Sequence, residues 1–234
     1  MKLFKIKFLM KGLLNKLRQE GVVRSQWIYD TMLKVDRADF IEKNPYFDNS
    51  QYLGYNVVIS APHMHAYALE YLSPALTNFR NFNPKNFRIL DIGSGSGYLT
   101  VCLSKLIDDQ GIVVGIEHIP ELFLKGKRNI QKHHKNLLDD KKIILLNLDG
   151  RNGYKELGPY QLIHVGAAAE KIPQVLVDQL AKGGRMFIPI GLDPDNQYIY
   201  VVDKDLNGNV TYKKTISVCY VLLTSKEKQL RGEC

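Results

Sequence analysis

A glycine-rich turn beside an acidic residue is the part of this chain best suited to chemistry. Asp91 stands two residues before three glycines at alternate positions, Gly93, Gly95 and Gly97, and an apolar run precedes it. Glycine admits a positive φ and lets another molecule approach the backbone without a Cβ in the way. In α/β sheets, a strand followed by a glycine turn and a helix holds nucleotide-like ligands at the strand's carboxyl end. The turn therefore predicts a site for such a ligand.

The residues around the turn narrow the choice of ligand. The dinucleotide fingerprint needs its third glycine where Tyr98 stands, and the Lys-Ser/Thr pair of a phosphate-binding loop is absent. A carboxylate at Asp91 would repel a pyrophosphate but could receive a ligand that carries an ammonium and a sulfonium. We expect such a cationic nucleoside rather than a nicotinamide dinucleotide, with an ordinary glycine turn as the alternative.

Two more acids follow the next two predicted strands. Glu117 lies twenty residues after Gly97, where an acid accepts hydrogen bonds from ribose hydroxyls. Asp149 and Gly150 follow the third strand, where a carboxylate or its neighbouring backbone could meet an adenine edge. Taken alone, Glu117 could be a solvent-facing strand end and Asp149-Gly150 a simple turn. Three acids at three successive strand ends favour a ligand more strongly than any one of them.

Ser60, His63 and His65 form a second candidate group, a nucleophile with a base. The chain has no G-x-S-x-G elbow, and a serine just before Ala61-Pro62 is typical of a helix cap. Each histidine alone is typical of a packed or surface residue. From the residues themselves, the cap is the preferred interpretation of Ser60.

The predicted secondary structure that must position these residues changes in pattern near residue 87. Before it, apolar residues at helical spacing predict helix over 12–43. A loop with short extended pieces follows over 44–59, and Ser60 then caps a helix that ends near Leu72. Residues 12–86 therefore form a helical N-terminal part.

After residue 87, strands and helices alternate, which is typical of a parallel sheet covered on both faces. Gly183-Gly184 is expected to end the last helix of this series. The residues around Asn207-Gly208 predict a closing antiparallel hairpin, with strands near Tyr198 and over 210–223. The other strands are expected at 87–92, 112–117, 143–148, 160–165 and 185–190, and the helices at 97–107, 120–135 and 173–181.

Composition limits the class of protein. A chain of 234 residues that is 45% hydrophobic suits one α/β domain, and no run approaches the ~20 apolar residues of a membrane helix. Three dispersed cysteines predict no metal site and no disulfide framework, which favours a cytoplasmic location. The net charge of +8 comes from scattered lysines and predicts a solubilising surface rather than nucleic-acid binding. Residues 1–11 form a basic extension, interpreted as an amphipathic helix, with a membrane-surface role as the weaker alternative.

Further blocks of sequence resemble the protein-L-isoaspartate (D-aspartate) O-methyltransferases. Many methyltransferases share the glycine turn, whereas Ser-Ala-Pro-His-Met-His from Ser60 and Val-Gly-Ala-Ala-Ala from Val165 are specific to this family. The resemblance covers roughly residues 13–230. The blocks that carry it are 59–70, 90–97, 115–118, 149–151, 164–169, 183–185 and 223–229.

The resemblance implies one S-adenosylmethionine-dependent α/β domain over 1–234, with 87–234 forming the cofactor-binding part and S-adenosylhomocysteine as the product. The fold is a Rossmann-like, mostly parallel seven-stranded sheet with helices on both faces and antiparallel C-terminal strands. The implied reaction esterifies the α-carboxyl of L-isoaspartyl residues in damaged proteins and, less well, the β-carboxyl of D-aspartyl residues. The ester then collapses to a succinimide, which hydrolyses partly to aspartate. A monomer without nucleic-acid or membrane partners is expected.

The same resemblance implies the roles of particular residues. Ser60 is the catalytic-site serine, and we expect it to position the substrate carboxylate rather than to act as a nucleophile. Val58 stands where relatives often carry Thr, and Glu117 where they often carry Asp. The residues implied to bind the cofactor are Val57, Val58, Ile59, Ser60, His65, Asp91, Gly93, Ser94, Gly95, Ser96, Gly97, Glu117, His118, Asp149, Gly150, Thr224 and Gln229. Those implied to contact the substrate are Ser60, Val165, Gly166, Ala167 and Ala168, and no metal is expected.

Two other functions remain as alternatives. One is another S-adenosylmethionine methyltransferase that acts on RNA or on a small molecule. It is less favoured because no N-P-P-Y-like motif follows the fourth strand. The other is a nucleotide-binding regulatory module without catalysis. The presence of Ser60, Asp91 and Glu117 disfavours it.

Overall fold

Eight α-helices and nine strands make up the described part of the chain, residues 2–79 and 86–232 of a computed structural model. The side chains of residues 1–7, with three lysines of the basic start, and Cys234 lie outside the described residues. The helices are α1 Lys2–Gln19, α2 Gln26–Leu33, α3 Pro62–Leu72, α4 Tyr98–Leu106, α5 Pro120–His133, α6 Lys135–Asp139, α7 Gln174–Asp178 and α8 Lys226–Leu230. The strands are β1 Gln51–Gly54, β2 Val57–Ile59, β3 Arg88–Ile92, β4 Ile112–Ile116, β5 Ile143–Leu146, β6 Tyr160–Val165, β7 Leu180–Ile190, β8 Gln197–Lys204 and β9 Val210–Val218.

Strands β3 to β9 form one seven-stranded sheet in the order β5-β4-β3-β6-β7-β8-β9. The strands from β5 to β7 are parallel, and β8 and β9 add antiparallel pairs. This arrangement confirms the predicted Rossmann-like sheet. The chain runs outward from β3 to β5 and returns to place β6 on the other side of β3. The carboxyl ends of β3, β4 and β6 therefore meet where the strand order reverses, which is where such sheets bind ligands.

The sheet is buried on both faces, as a parallel sheet requires. Neighbouring residues along β3, such as Ile89 and Leu90, belong to two separate core clusters because side chains alternate across a strand. Helices α1 and α2 contribute Leu14, Leu17 and Met32 to the cluster on one face. The N-terminal part is therefore packed onto the sheet that carries the glycine turn.

The predicted helix over 12–43 is wrong at both ends. Helix α1 already begins at Lys2, and Met10 is buried in the core, so the boundary predicted after residue 11 falls inside a helix. A turn at Gly21, where φ is 72°, separates α1 from α2. Ser25 caps α2 by accepting a hydrogen bond from the Ile28 amide. A short 3₁₀ turn, Arg37–Asp39, follows α2.

Two local interpretations of the later chain are also wrong. Helix α7 ends at Asp178, and Gly183-Gly184 lies inside β7, because β7 already begins at Leu180, which pairs with Tyr160 of β6. The last strand ends at Val218 rather than near residue 223. The hairpin around Asn207-Gly208 is confirmed. Within the described ranges, no helix has the length and apolarity needed to cross a membrane.

Candidate functional site

A cavity of about 380 Å³ lies at the carboxyl ends of β3, β4 and β6. The hairpin of β1 and β2, the start of α3 and residues 217–223 complete its walls. We call residues 217–223 the C-terminal wall. The predicted site residues that line the cavity are Val57, Val58, Ile59, Ser60, His65, Asp91, Gly93, Ser94, Gly95, Ser96, Glu117, His118, Asp149, Gly150, Gly166, Ala167, Thr224 and Gln229.

Three predicted site residues lie behind the lining of the cavity. Gly97 is the N-cap of α4, and Val165 is buried within β6. The amide of Ala168 donates to Val221 O at 2.8 Å, and the amide of Leu223 donates to Ala168 O at 2.7 Å. Ala168 therefore supports the C-terminal wall from behind.

The glycine turn has the conformation that its sequence predicts. The φ angles of Gly93, Gly95 and Gly97 are 78°, 48° and 87°, a region that other residues rarely adopt. The amides of Gly93 and Ser94 both donate to the Ile116 carbonyl at 2.9 Å, which ties the turn to β4. A Cβ on Gly93 would lie 3.8 Å from the Gly166 backbone, at ordinary van der Waals distance, so the positive φ rather than crowding is what calls for glycine here.

Glu117 is buried at the end of β4, with 4% of its surface exposed. Its Oε2 accepts from the Gly95 amide at 3.1 Å, and its Oε1 accepts from the Ile119 amide at 2.9 Å. Burial raises its pKa, although these backbone bonds and His118 oppose the shift. The solvent-facing interpretation is therefore wrong. Each carboxylate oxygen retains a second lone pair that can accept from a hydroxyl group.

Asp91 uses both of its oxygens within the protein. Its Oδ2 accepts from the Thr100 hydroxyl at 2.5 Å, and its Oδ1 lies 2.8 Å from His164 Nδ1. The register of β3 and β6 pairs Asp91 directly with His164. The carboxylate is 1% exposed, so its charge acts on the cavity from behind.

Asp149 is paired with Arg151 beyond the end of β5. The guanidinium Nε donates to Oδ1 at 3.0 Å and Nη2 donates to Oδ2 at 2.6 Å, and this hydrogen bonding holds the pKa of Asp149 below its ordinary value. The side chain of Asp149 is therefore turned towards Arg151. The buried backbone at Gly150 is the part of this pair that is left for an adenine edge.

Helix α8 closes the same side of the cavity through Gln229. Its Oε1 lies 3.0 Å from His118 Nε2, and its Nε2 donates to the Asn56 carbonyl at 3.3 Å. Asn56 Nδ2 donates back to the Gln229 carbonyl at 3.0 Å. Gln229 thus joins three segments that are distant in sequence, and it is 3% exposed.

Ser60 is the last residue before the N-cap of α3. That cap is Ala61, which makes no side-chain capping hydrogen bond, so the interpretation of Ser60 as the cap is wrong. The residue is half-buried and lines the cavity together with Tyr220 of the C-terminal wall. His63 is held by Asp48, with Nδ1 at 2.9 Å from Oδ1.

Arg37 is the residue of this region that the sequence reasoning missed. Its Nη2 donates to the Ser60 carbonyl at 2.7 Å, and its Nη1 lies 3.1 Å from His65 Nδ1. The C-terminal wall was missed as well, because no motif distinguishes 217–223 from an ordinary strand end. Within the described ranges, no cluster of three or more His, Cys, Asp or Glu side chains could hold a metal ion.

The mostly parallel sheet, the glycine turn at its switch point and the buried acid after the next strand define a Rossmann-like methyltransferase by class. A model of the protein-L-isoaspartate(D-aspartate) O-methyltransferase (PCMT) family matches residues 9–228, and the chain belongs to this family.

Individual relatives agree over nearly the full length. The chain is 46% identical to a protein-L-isoaspartate O-methyltransferase of Caenorhabditis elegans, over 93% of each chain. It is 42% identical to protein-L-isoaspartate O-methyltransferase 1 of Arabidopsis thaliana, over 95% of this chain and 94% of the relative. A crystal structure from Plasmodium falciparum, named as a protein of the same kind and solved in complex with S-adenosyl-L-homocysteine, has a TM-score of 0.82 and 34% identity. That match covers 92% of this chain and 98% of the other.

Proposed function

We propose that this chain transfers a methyl group from S-adenosylmethionine to the α-carboxyl of L-isoaspartyl residues in damaged proteins and, less well, to the β-carboxyl of D-aspartyl residues. The observation that carries the proposal is the single cavity in which Ser60 and His65 of the N-terminal part meet the glycine turn and Glu117. Membership of the family and the S-adenosyl-L-homocysteine complex of the Plasmodium relative support it.

The hydrogen-bonding groups that line the cavity fit this cofactor. Glu117 offers buried carboxylate lone pairs for ribose hydroxyls, Gly150 offers backbone beside them, and the backbone of Gly93 lines the cavity without a side chain. When bound, S-adenosylmethionine supplies a methyl group already activated by a sulfonium. These positions support the proposed cofactor roles of the lining residues.

The protein itself must orient the substrate carboxylate towards the methyl group. A substrate carboxylate is ionised near neutral pH, so the chain need not supply a strong base. The Ser60 hydroxyl donates a hydrogen bond to one carboxylate oxygen and thereby directs the other towards the methyl group, while the hairpin of β1 and β2 and the C-terminal wall exclude water. Orientation of this kind can supply up to ~7–11 kcal/mol in ideal cases. Gly166 has no side chain and Ala167 has only a methyl group, which lets a peptide backbone approach.

The test is methyl transfer to an isoaspartyl peptide and to its aspartyl twin, followed with a radiolabelled methyl group. Strong preference for the isoaspartyl peptide is expected. Equal rates, or transfer to neither, would refute the assignment. A transfer reaction with RNA under the same conditions tests the alternative acceptor.

A second test separates the role of Ser60 from cofactor binding. Ser60→Ala should reduce turnover of the isoaspartyl peptide and leave S-adenosylhomocysteine affinity within a few-fold of the parent, because one hydrogen bond to the carboxylate is lost. Ser73→Ala, at the other end of α3, is the matched control and should leave both quantities unchanged. If Ser60→Ala instead loses the cofactor complex, the positioning role is wrong.

We also assign the chain to the cytoplasm as a monomer with a single domain. The described cysteines, Cys102 and Cys219, are both free thiols, which is typical of a reducing compartment. Arg185 of β7 donates to the Tyr71 carbonyl of α3 at 2.9 Å, which joins the N-terminal part to the sheet. Light scattering during size-exclusion chromatography tests the monomer, and a dimer mass would contradict it.

A further inference from the structure

Arg37 is a buried cation without an acidic partner, next to the cavity wall. It is 0% exposed and begins the 3₁₀ turn Arg37–Asp39. Among the described residues, no carboxylate lies within salt-bridge distance of it. Burial lowers its pKa, although Tyr98, Cys102 and Asp48 oppose the shift. A buried charge without a counter-ion is costly, so its retention calls for an explanation beyond stability.

The hydrogen bonds of Arg37 converge on the proposed reaction site. One Nη donates to the Ser60 carbonyl at 2.7 Å, and the other meets His65 Nδ1 at 3.1 Å. The guanidinium also stacks over the Tyr98 ring, 5.3 Å from its centroid. Nε is buried and has no partner among the described residues. The two groups that Arg37 contacts, the Ser60 carbonyl and His65 Nδ1, are neutral and belong to residues that line the cavity.

The contact with Arg37 determines the protonation of His65. Arginine has only donors, so Nδ1 of His65 must accept, and a neutral ring then carries its proton on Nε2. Burial, and then the charge of Arg37, holds the pKa of His65 well below its ordinary value, with His164 and His63 adding to the shift. The titratable Tyr98 also faces the ring, with the two ring centroids 5.0 Å apart. Nε2 of His65 has no partner among the described residues, and the ring lines the cavity.

We propose that Arg37 is a positioning residue of the methyl-transfer site, which fixes the Ser60 backbone and holds His65 as an Nε2–H donor for a carboxylate in the cavity. The inference deepens the proposed function and rests on it. The carboxylate can come from the amino-acid end of the cofactor or from the isoaspartyl substrate. The experiments below distinguish these two sources.

The first test uses the unaltered protein and needs no turnover. Nitrogen-15 NMR of the imidazole rings should show His65 as the neutral Nε2–H tautomer throughout pH 6–9. His65→Gln assigns the signals. A ring that titrates near its ordinary pKa, or that carries its proton on Nδ1, would overturn the proposal, whatever the enzyme methylates.

The second test uses two variants and a control. Arg37→Lys keeps the charge but cannot make both hydrogen bonds of the planar guanidinium. Arg37→Met removes the charge and the hydrogen bonds. Each should lower kcat/KM for the isoaspartyl peptide about 10-fold or more, with Arg37→Lys the less impaired. Arg24→Met is the matched control, because Arg24 stacks over Tyr71 at the exposed surface, and it should leave kcat/KM unchanged.

The two sources of the carboxylate give different results in Arg37→Lys. Weaker S-adenosylhomocysteine binding indicates the cofactor's carboxylate, whereas unchanged binding with a raised peptide KM indicates the substrate's. Unchanged values of both, with the Tm within a few degrees of the parent, would overturn the proposal. If Arg37→Met does not fold, Arg37→Lys and the NMR experiment still decide. Failure of the parent enzyme on isoaspartyl peptides would refute the proposed function while leaving the NMR result interpretable.

Discussion

Gly126 is the point where α5 touches the glycine turn, and one added methyl group there should disturb the cofactor site. A Cβ on Gly126 would lie 2.6 Å from the Gly95 carbonyl oxygen, well inside the 3.4 Å at which ordinary contact begins. Both groups are backbone, so α5 or the turn must move. Overpacking of this kind costs about 1–3 kcal/mol, which is offset in part by the ~1 kcal/mol that alanine gains over glycine within a helix.

The displacement should also reach the ligand. The Gly95 amide donates to Glu117 Oε2, so movement of Gly95 alters the carboxylate that is proposed to bind the ribose. Loss of one hydrogen bond to a charged group costs about 1.5–3 kcal/mol, which corresponds to roughly 10–100-fold in affinity. Gly126→Ala should therefore weaken S-adenosylhomocysteine binding by that factor, as measured by isothermal titration calorimetry.

Gly12 provides the matched control on α1. A Cβ there would meet nothing within 4 Å, so Gly12→Ala should raise the free energy of unfolding by about 0.5–1 kcal/mol through helix propensity alone. Urea unfolding of both variants should give a gain for Gly12→Ala and no comparable gain for Gly126→Ala. Equal stabilisation, with unchanged ligand affinity in both variants, would show that the contact between α5 and the turn has no energetic consequence.

Three further predictions concern buried ionisable groups. Glu117→Gln should weaken S-adenosylhomocysteine binding about 10–100-fold in calorimetry, whereas Glu117→Asp should retain most of the affinity; equal losses would contradict the role of the charge. Thr100→Val should lower the urea-derived free energy of unfolding by about 1–3 kcal/mol because Asp91 loses a buried hydrogen bond, and Thr100→Ser should cost less. The folded pKa of His65 is depressed, so the stability it contributes is fully present above about pH 6.5 and is lost as the pH falls. A Tm profile from pH 5 to 8 should therefore be steeper for the parent than for His65→Gln.

Local signals were sufficient for the elements that carry the predicted ligand site. The glycine turn needs positive φ at alternate residues, and only its own sequence supplies that. Its position in the sheet follows from the alternation of strands and helices. At Gly183-Gly184 the local rule failed, because β7 begins at Leu180, paired with Tyr160 of β6, before the glycines are reached.

Arg37 could not have been found in this way. Its partners, Ser60 and His65, lie 23 and 28 residues further along the chain, and the contact exists only because the turn after α2 packs against the start of α3. No spacing rule links an arginine after one helix to a histidine on another. Ser60 shows the same limit, because cap preference describes an isolated helix and the structure gives that position to Ala61.

The three acids at successive strand ends differ in how their charges are balanced, and this difference indicates what the cavity binds. Asp91 lies against His164 and Thr100, and Asp149 is paired with Arg151. Glu117 is held by two backbone amides and, alone among the three, has no cation at salt-bridge distance in the described chain. Behind another part of the cavity wall, Arg37 is a buried cation with no carboxylate at salt-bridge distance among the described residues. A cavity with a carboxylate free of a paired cation at one place and a buried guanidinium at another suits a ligand that carries both signs of charge, as S-adenosylmethionine does with its sulfonium, ammonium and carboxylate.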